Sequence, residues 1–225
     1  MKIRLGYVAL PVSIPITASK TITLTSYKKL GKKRGEAKRT KIFEENLNNF
    51  FEILKYNDAN QIHFYRMTSH LVPLLTYPDS YNNILKKHQT ELEWIGNYIQ
   101  NKNMRVDMHP DQYLVLNSMN SSVVESTIFS LNYYDELMTK MKLKTNIILH
   151  IGSGQEGKTK AMERFEEGFI RLKKSIQSMI ALENDDKIFN IRNTLSLAKK
   201  LNIPMVLDYH HFLVNKNNHS VLVCT

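Results

Sequence analysis

The sequence predicts an α/β fold built on parallel strands. Apolar runs of strand length recur six times, amphipathic helical stripes recur five times between them, and the two alternate strictly as β(αβ)5. Such alternation implies a parallel sheet joined by right-handed crossovers.

The strand-length runs are IRLGYVAL (3–10), IHFYRM (62–67), MRVDMH (104–109), NIILHIG (146–152), MIALEN (179–184) and IPMVLDYH (203–210). The first helical face is Phe43, Leu47, Phe50 and Leu54, and the second is Leu85, Leu92, Ile95 and Ile99. Val124, Ile128, Leu131 and Met138 form the third, and Ala161, Phe165, Phe169, Leu172 and Ile176 the fourth. The last is Ile188, Ile191, Leu195 and Ala198. A single stripe at helical spacing buries one face against a strand layer, so these residues read as core.

At 225 residues and 42% hydrophobic, the chain can bury one real core, and residues 1–225 read as a single domain. No apolar run approaches the ~18 residues of a membrane span. Lys2 and Arg4 precede an apolar stretch, but Pro11 and Pro15 interrupt it, which argues against a signal peptide. A single cysteine, Cys224, allows no internal disulfide and suits a reducing cytoplasm. No Gly-x-Gly-x-x-Gly follows the first strand, which disfavours a dinucleotide site.

The net charge of +10 is concentrated. Residues 26–41, SYKKLGKKRGEAKRTK, hold eight Lys or Arg and one Glu and supply +7. A solvated loop running into a helix and a phosphate-binding patch are both open readings.

The chemistry lies at the strand ends. His70 follows the second strand, His109 closes the third, His150 the fourth and Glu183 the fifth. Asp208, His210 and His211 close the sixth. In a parallel barrel these ends share one face. One histidine alone reads as a core residue, and Asp185 or Asp186 reads as the cap of a helix starting near Ile188. Successive strands ending in imidazole or carboxylate point instead to a divalent metal cluster of Mn, Zn or Fe type. Such a cluster, beside a basic face, suits phosphodiester hydrolysis. A sugar isomerase-like metalloenzyme and a non-catalytic DNA-binding remnant are the alternatives.

RLGYV, FYRMTSHLVPL, MHPDQY, LHIGSG, LENDDK and LDYHHF occur in an order that resembles the UV damage endonuclease family (UvdE/UvsE type). The resemblance implies a TIM-type (β/α)8 barrel related to endonuclease IV and xylose isomerase, with up to three manganese ions at the strand ends. It implies a nucleoid-associated enzyme, a monomer unless another chain completes the barrel. The implied reaction nicks damaged double-stranded DNA immediately 5′ to a photoproduct, leaving a 3′-hydroxyl and a 5′-phosphate. By resemblance, His109, His150 and Glu183 hold one ion, Glu183 bridges to a second that Asp208 also binds, and His211 holds a third. The same likeness makes His70, Asn184 and Asp185 supporting residues around the ions. Gln112 and Tyr113 would probe the lesion with help from Tyr7. With DNA as the substrate, the charge of Lys32, Lys33 and Arg34 in the basic stretch would meet its phosphates. Only six strands are legible where the family barrel has eight, so the expected fold is a barrel truncated after about six strands, lacking its C-terminal ligands. Ser153 in HIGSG and VALPV after Tyr7 also depart from the family pattern.

Overall fold

The computed structural model describes residues 3–75, 77 and 84–215. Cys224 and the segment HSVLVCT lie outside them. The chain divides into two compact units, Met1–His109 with Tyr133–Thr145, and Pro110–Asn132 with Asn146–Thr225.

The first unit carries β1 (Gly6–Val8), α1 (Leu24–Ala59), β2 (Phe64–Thr68), α2 (Ile84–Lys87), α3 (Gln89–Asn101) and β3 (Arg105–His109). Its strands are parallel and follow chain order, with Tyr7 beside Tyr65 and Tyr65 beside Val106. Alternation sends Tyr65 and Met67 under the helices, both buried. The expected stripe of α1 is the buried one, with Phe43, Leu47, Phe50 and Leu54 joined by Ile53. Helix α1 begins earlier than the stripe, after Thr23, whose side chain caps Ser26 N–H. The basic stretch is therefore helical rather than a loop. Lysine, arginine, leucine and alanine are good helix formers, and only Gly31, at φ 70°, breaks the run with a kink. In α3, Leu92, Ile95 and Ile99 are buried, and Leu85 of the same expected stripe belongs to α2.

Helix α4 (Ser121–Lys140) begins in the second unit and ends in the first. The second unit continues with β4 (Ile147–Leu149), α5 (Lys158–Ile170), α6 (Lys174–Gln177), β5 (Ile180–Glu183), α7 (Ile191–Leu201), β6 (Met205–Val206) and α8 (Tyr209–Val214). Its strands are again parallel and in chain order. Every residue of β4 and β5 is buried, the pattern of parallel strands covered on both faces.

Three boundaries differ from the sequence reading. The fourth expected helix is two helices: α5 stops at Ile170, and the Gln177 amide donates to the carbonyls of Phe169, Ile170 and Leu172 left by its last turn. Helix α7 starts at Ile191 rather than Ile188 because Asn190 is its N-cap, accepting from Asn193 N–H. The sixth run is strand only at Met205–Val206, because Asp208 caps α8 and turns the chain into helix. Among the described residues, no helix is long and apolar enough to cross a membrane.

Phe165 anchors α5 with no solvent exposure. Phe165→Ala is expected to cost about 3–5 kcal/mol, read as a lowered urea midpoint with the wild-type far-UV spectrum retained in buffer.

Candidate metal centre

Parallel pairing of β4 with β5 sets Leu149 beside Leu182, so the next residues along, His150 and Glu183, are neighbours. His150 Nδ1 lies 3.2 Å from the Glu183 main-chain oxygen. A carbonyl only accepts, so Nδ1 carries the proton and Nε2 of the neutral ring presents a lone pair. That nitrogen lies 3.6 Å from Glu183 Oε2. Glu183 is 3% exposed. A carboxylate so buried, facing an imidazole lone pair, requires a cation or a proton between them. One divalent ion with ligand bonds of about 2.0–2.2 Å spans a 3.6 Å donor separation. The donor set therefore fits a metal of the Mn, Zn or Fe type.

Asn184, wholly buried, fastens β5 to the segment after β6. Its amide donates to Asp208 O at 2.9 Å, and its Oδ1 accepts from Asp208 N–H at 2.9 Å. Its main-chain oxygen accepts from His211 Nδ1 at 2.9 Å, which again turns an Nε2 lone pair outward. Asp208 Oδ1 caps His211 N–H at 2.8 Å, and its Oδ2 stands 3.7 Å from His211 Nδ1. The His150 and His211 rings are 5.6 Å apart, centre to centre. The structure thus gathers His150, Glu183, Asn184, Asp208 and His211 within the second unit. His210 is exposed on α8. Asp185 lies just outside the group, where its carboxylate accepts from the N–H groups of Lys187, Ile188 and Phe189. The expected helix cap is thus a turn cap, five residues ahead of Asn190.

Of the other expected site residues, His109, His70, Tyr7, Lys32, Lys33 and Arg34 belong to the first unit, and Gln112 and Tyr113 to the second. His109 ends β3 of the first unit, beside Thr68 of β2. His70 is exposed in the helical turn Ser69–Leu71, its main-chain oxygen accepting from Asn46. Tyr7 donates to Asn57 Oδ1 of α1 at 2.8 Å, and its ring lies 5.2 Å from that of Tyr65. Its side chain is committed to the layer between strand and helix. Gln112 and Tyr113 follow β3 in the second unit, both exposed. The Tyr113 hydroxyl donates to Asp111 at 2.6 Å. Partial burial, with the Asp111 carboxylate adding to it, pushes its phenol up to about 12, so it works as a neutral donor. Lys32, Lys33 and Arg34 are exposed on α1.

Asn117 was not legible as a site residue. Fully buried, it donates to Ser153 O at 2.7 Å and accepts from Ser153 N–H at 3.0 Å. It holds the loop after His150 as Asn184 holds the segment after β6. Gly152, at φ 106°, makes that loop possible, since a side chain there would strike Asn117. A lone Asn in LVLNS gives no periodic signal.

Fold and site define a class: an α/β protein with imidazole and carboxylate groups where parallel strands end. Comparison with known proteins narrows it. The model of the UV-endonuclease UvdE family matches residues 3–224. A UV DNA damage endonuclease of Bacillus cereus (strain B4264) is 34% identical over 218 residues, covering 96% of this chain and 69% of that one. Its counterpart in Halalkalibacterium halodurans is 37% identical over 217 residues, covering 94% and 67%. The crystal structure of SacUVDE superposes with a TM-score of 0.91 at 33% identity, over 99% of this chain and 75% of that chain. The chain belongs to the UvdE family of UV endonucleases, and its α/β fold is of the TIM-barrel type. D-psicose 3-epimerase from Clostridium cellulolyticum shares the fold, with a TM-score of 0.55 at 9% identity over 76% of this chain and 62% of that chain.

Asn184→Ala leaves the partly buried Asp208 N–H without its acceptor. The expected loss is about 1–3 kcal/mol of stability, measured by urea unfolding. Asn184→Asp, which keeps one acceptor oxygen, is expected to lose less.

Proposed function

We propose that this chain is a metal-dependent endonuclease that cuts damaged duplex DNA. The bond cut is the phosphodiester immediately 5′ to a UV photoproduct, leaving a 3′-hydroxyl and a 5′-phosphate. The observation that carries the reading is the pairing of His150 with the buried Glu183, two acceptors 3.6 Å apart, in a member of a UV endonuclease family.

His109, His150 and Glu183 each offer one donor atom and would hold one divalent ion, which we take to be manganese. The second Glu183 oxygen would reach a second ion shared with Asp208, and His211 would bind a third. Ions held there supply Lewis acidity to a phosphodiester and lower the pKa of bound water. The rest falls to the chain itself. The carbonyls of Glu183 and Asn184 keep His150 and His211 in the tautomer that can ligate. Asn184 holds Asp208 by its backbone, and Asn117 holds the loop that follows His150. His70 and Asp185 would support this group from outside it.

Lesion choice would rest on Gln112 and Tyr113. A photoproduct stacks poorly, so extruding it costs less than extruding an intact base. The exposed amide and ring could enter the gap, the ring stacking on a neighbouring base. A probing role for Tyr7 would require its bond to Asn57 to break.

Supercoiled plasmid, irradiated or not, tests the reading. Nicks are expected on irradiated DNA with Mn²⁺ and not with EDTA. Glu183→Ala and His109→Ala should each slow nicking more than ~100-fold, beyond the usual effect of losing a residue that only supports a ligand. Nicking that survives EDTA, or that ignores irradiation, overturns it.

A further inference from the structure

Helix α1 carries a charge pattern that the strand-end site does not use. Lys28, Lys29, Lys32, Lys33, Arg34, Lys38 and Lys41 are all exposed. Arg39, the eighth cation of the stretch, is buried, and it takes the one acid of the stretch, Glu36. Among the described residues, none of the seven has a carboxylate partner. Elsewhere several surface cations are paired, as in Lys55–Glu52, Lys102–Asp58, Lys140–Glu136, Arg164–Glu156 and Lys200–Glu166. A solvated helix face gains from opposite charges three or four residues apart. Here the acids at that spacing are taken by other residues, Glu36 by Arg39, Glu44 by His88 and Glu45 by Lys20, while Arg34 stands four residues before Lys38 and Lys38 three before Lys41. Lys32, Lys33 and Arg34 also fill the first turn after the Gly31 kink, where the helix dipole disfavours cations.

The segment is nevertheless well fixed. Tyr27 is buried against Gly35, where an added Cβ would meet its ring at 3.0 Å, and its hydroxyl binds Glu36. Lys28 Nζ lies 5.8 Å from the centre of the Tyr77 ring. An unfavourable charge array on a rigid support is relieved by a polyanion.

We propose that the exposed face of α1 between Lys28 and Lys41 is a second DNA contact, which grips the phosphate backbone without reading the lesion. The choice of DNA as polyanion rests on the endonuclease reading above. From Lys32 to Lys41 the helix rises about 14 Å, the length of about four phosphates along one strand. The surface holds the enzyme on duplex of any sequence, while selection and cutting stay with other residues.

The test is fluorescence anisotropy with an undamaged duplex, in EDTA, across a range of salt. The variants are Lys32→Gln with Lys33→Gln and Arg34→Gln, and a control of equal charge change, Lys173→Gln with Lys174→Gln and Lys199→Gln. The first should flatten the slope of log Kobs against log salt by about 2.7 and weaken binding on the order of 100-fold at 0.1 M salt. The control should stay within about threefold. Matching far-UV spectra establish that both are folded. Equal loss in both variants reduces the effect to net charge and overturns the proposal, as does no loss in the first. A loss confined to phosphatidylserine vesicles, with duplex binding unchanged, overturns it too. The assay needs neither metal nor lesion, so an inactive enzyme that still binds this way defeats only the endonuclease reading.

Discussion

Two hydrogen-bond acceptors face each other at the end of β5, and the surrounding structure is arranged to keep them there. The Glu183 carboxylate is buried, and its neighbour is the lone-pair nitrogen of His150, 3.6 Å away. Neither side chain can escape easily. Glu183 ends a strand buried along its whole length, and His150 is tied by its other nitrogen to the Glu183 backbone. Left to themselves such groups would take up a proton or move apart. A divalent cation turns the same geometry into a stable one, because each acceptor becomes a ligand. The wholly buried asparagines on either side extend the constraint: Asn184 fixes Asp208 and His211, and Asn117 fixes the loop after His150.

Much of this was written in the sequence. Apolar runs and helical stripes located every strand and the buried faces of α1, α3 and α5, because burial against a layer leaves a regular signature; in α7 the expected Ile191 and Ala198 are buried, but Thr194 and Leu197 complete the face in place of Leu195. Boundaries were less legible. Asp185 and Asn190 are both reasonable caps by residue type, and only the backbone decides which begins α7. The basic stretch read equally as loop or helix, since its residues favour helix while its charge density opposes it. Gly31 resolves that conflict by breaking the helix once without ending it.

The candidate site was legible as a list of strand-end residues and not as a set of bonds. His150, Glu183, Asp208 and His211 announced themselves by position. Which nitrogen of each histidine is free to ligate depends on carbonyls contributed by other residues, and no sequence pattern carries that. Asn117 was invisible for the same reason: its partners lie 36 residues away, at Ser153. Tyr7 is a different case: a family likeness implies a role at the lesion, and nothing in the sequence signals that its hydroxyl is engaged with Asn57 under α1.

The ends of β4 and β5 carry acceptors that suit a cation, while the exposed face of α1 carries cations. On the proposed reading the first would hold metal and the second phosphate. A lysine among the ligands would compete with metal for the same carboxylates.

The most direct test of the central constraint is Mn²⁺ binding itself, followed by electron paramagnetic resonance of the free ion. Wild-type protein should take up Mn²⁺ tightly, and Glu183→Gln, with the same shape and one fewer charge, should bind at least ~100-fold more weakly. Asp186→Asn should bind as wild type. If Glu183→Gln binds Mn²⁺ as tightly as the wild type, or the wild type binds none, the buried carboxylate is not there for a cation.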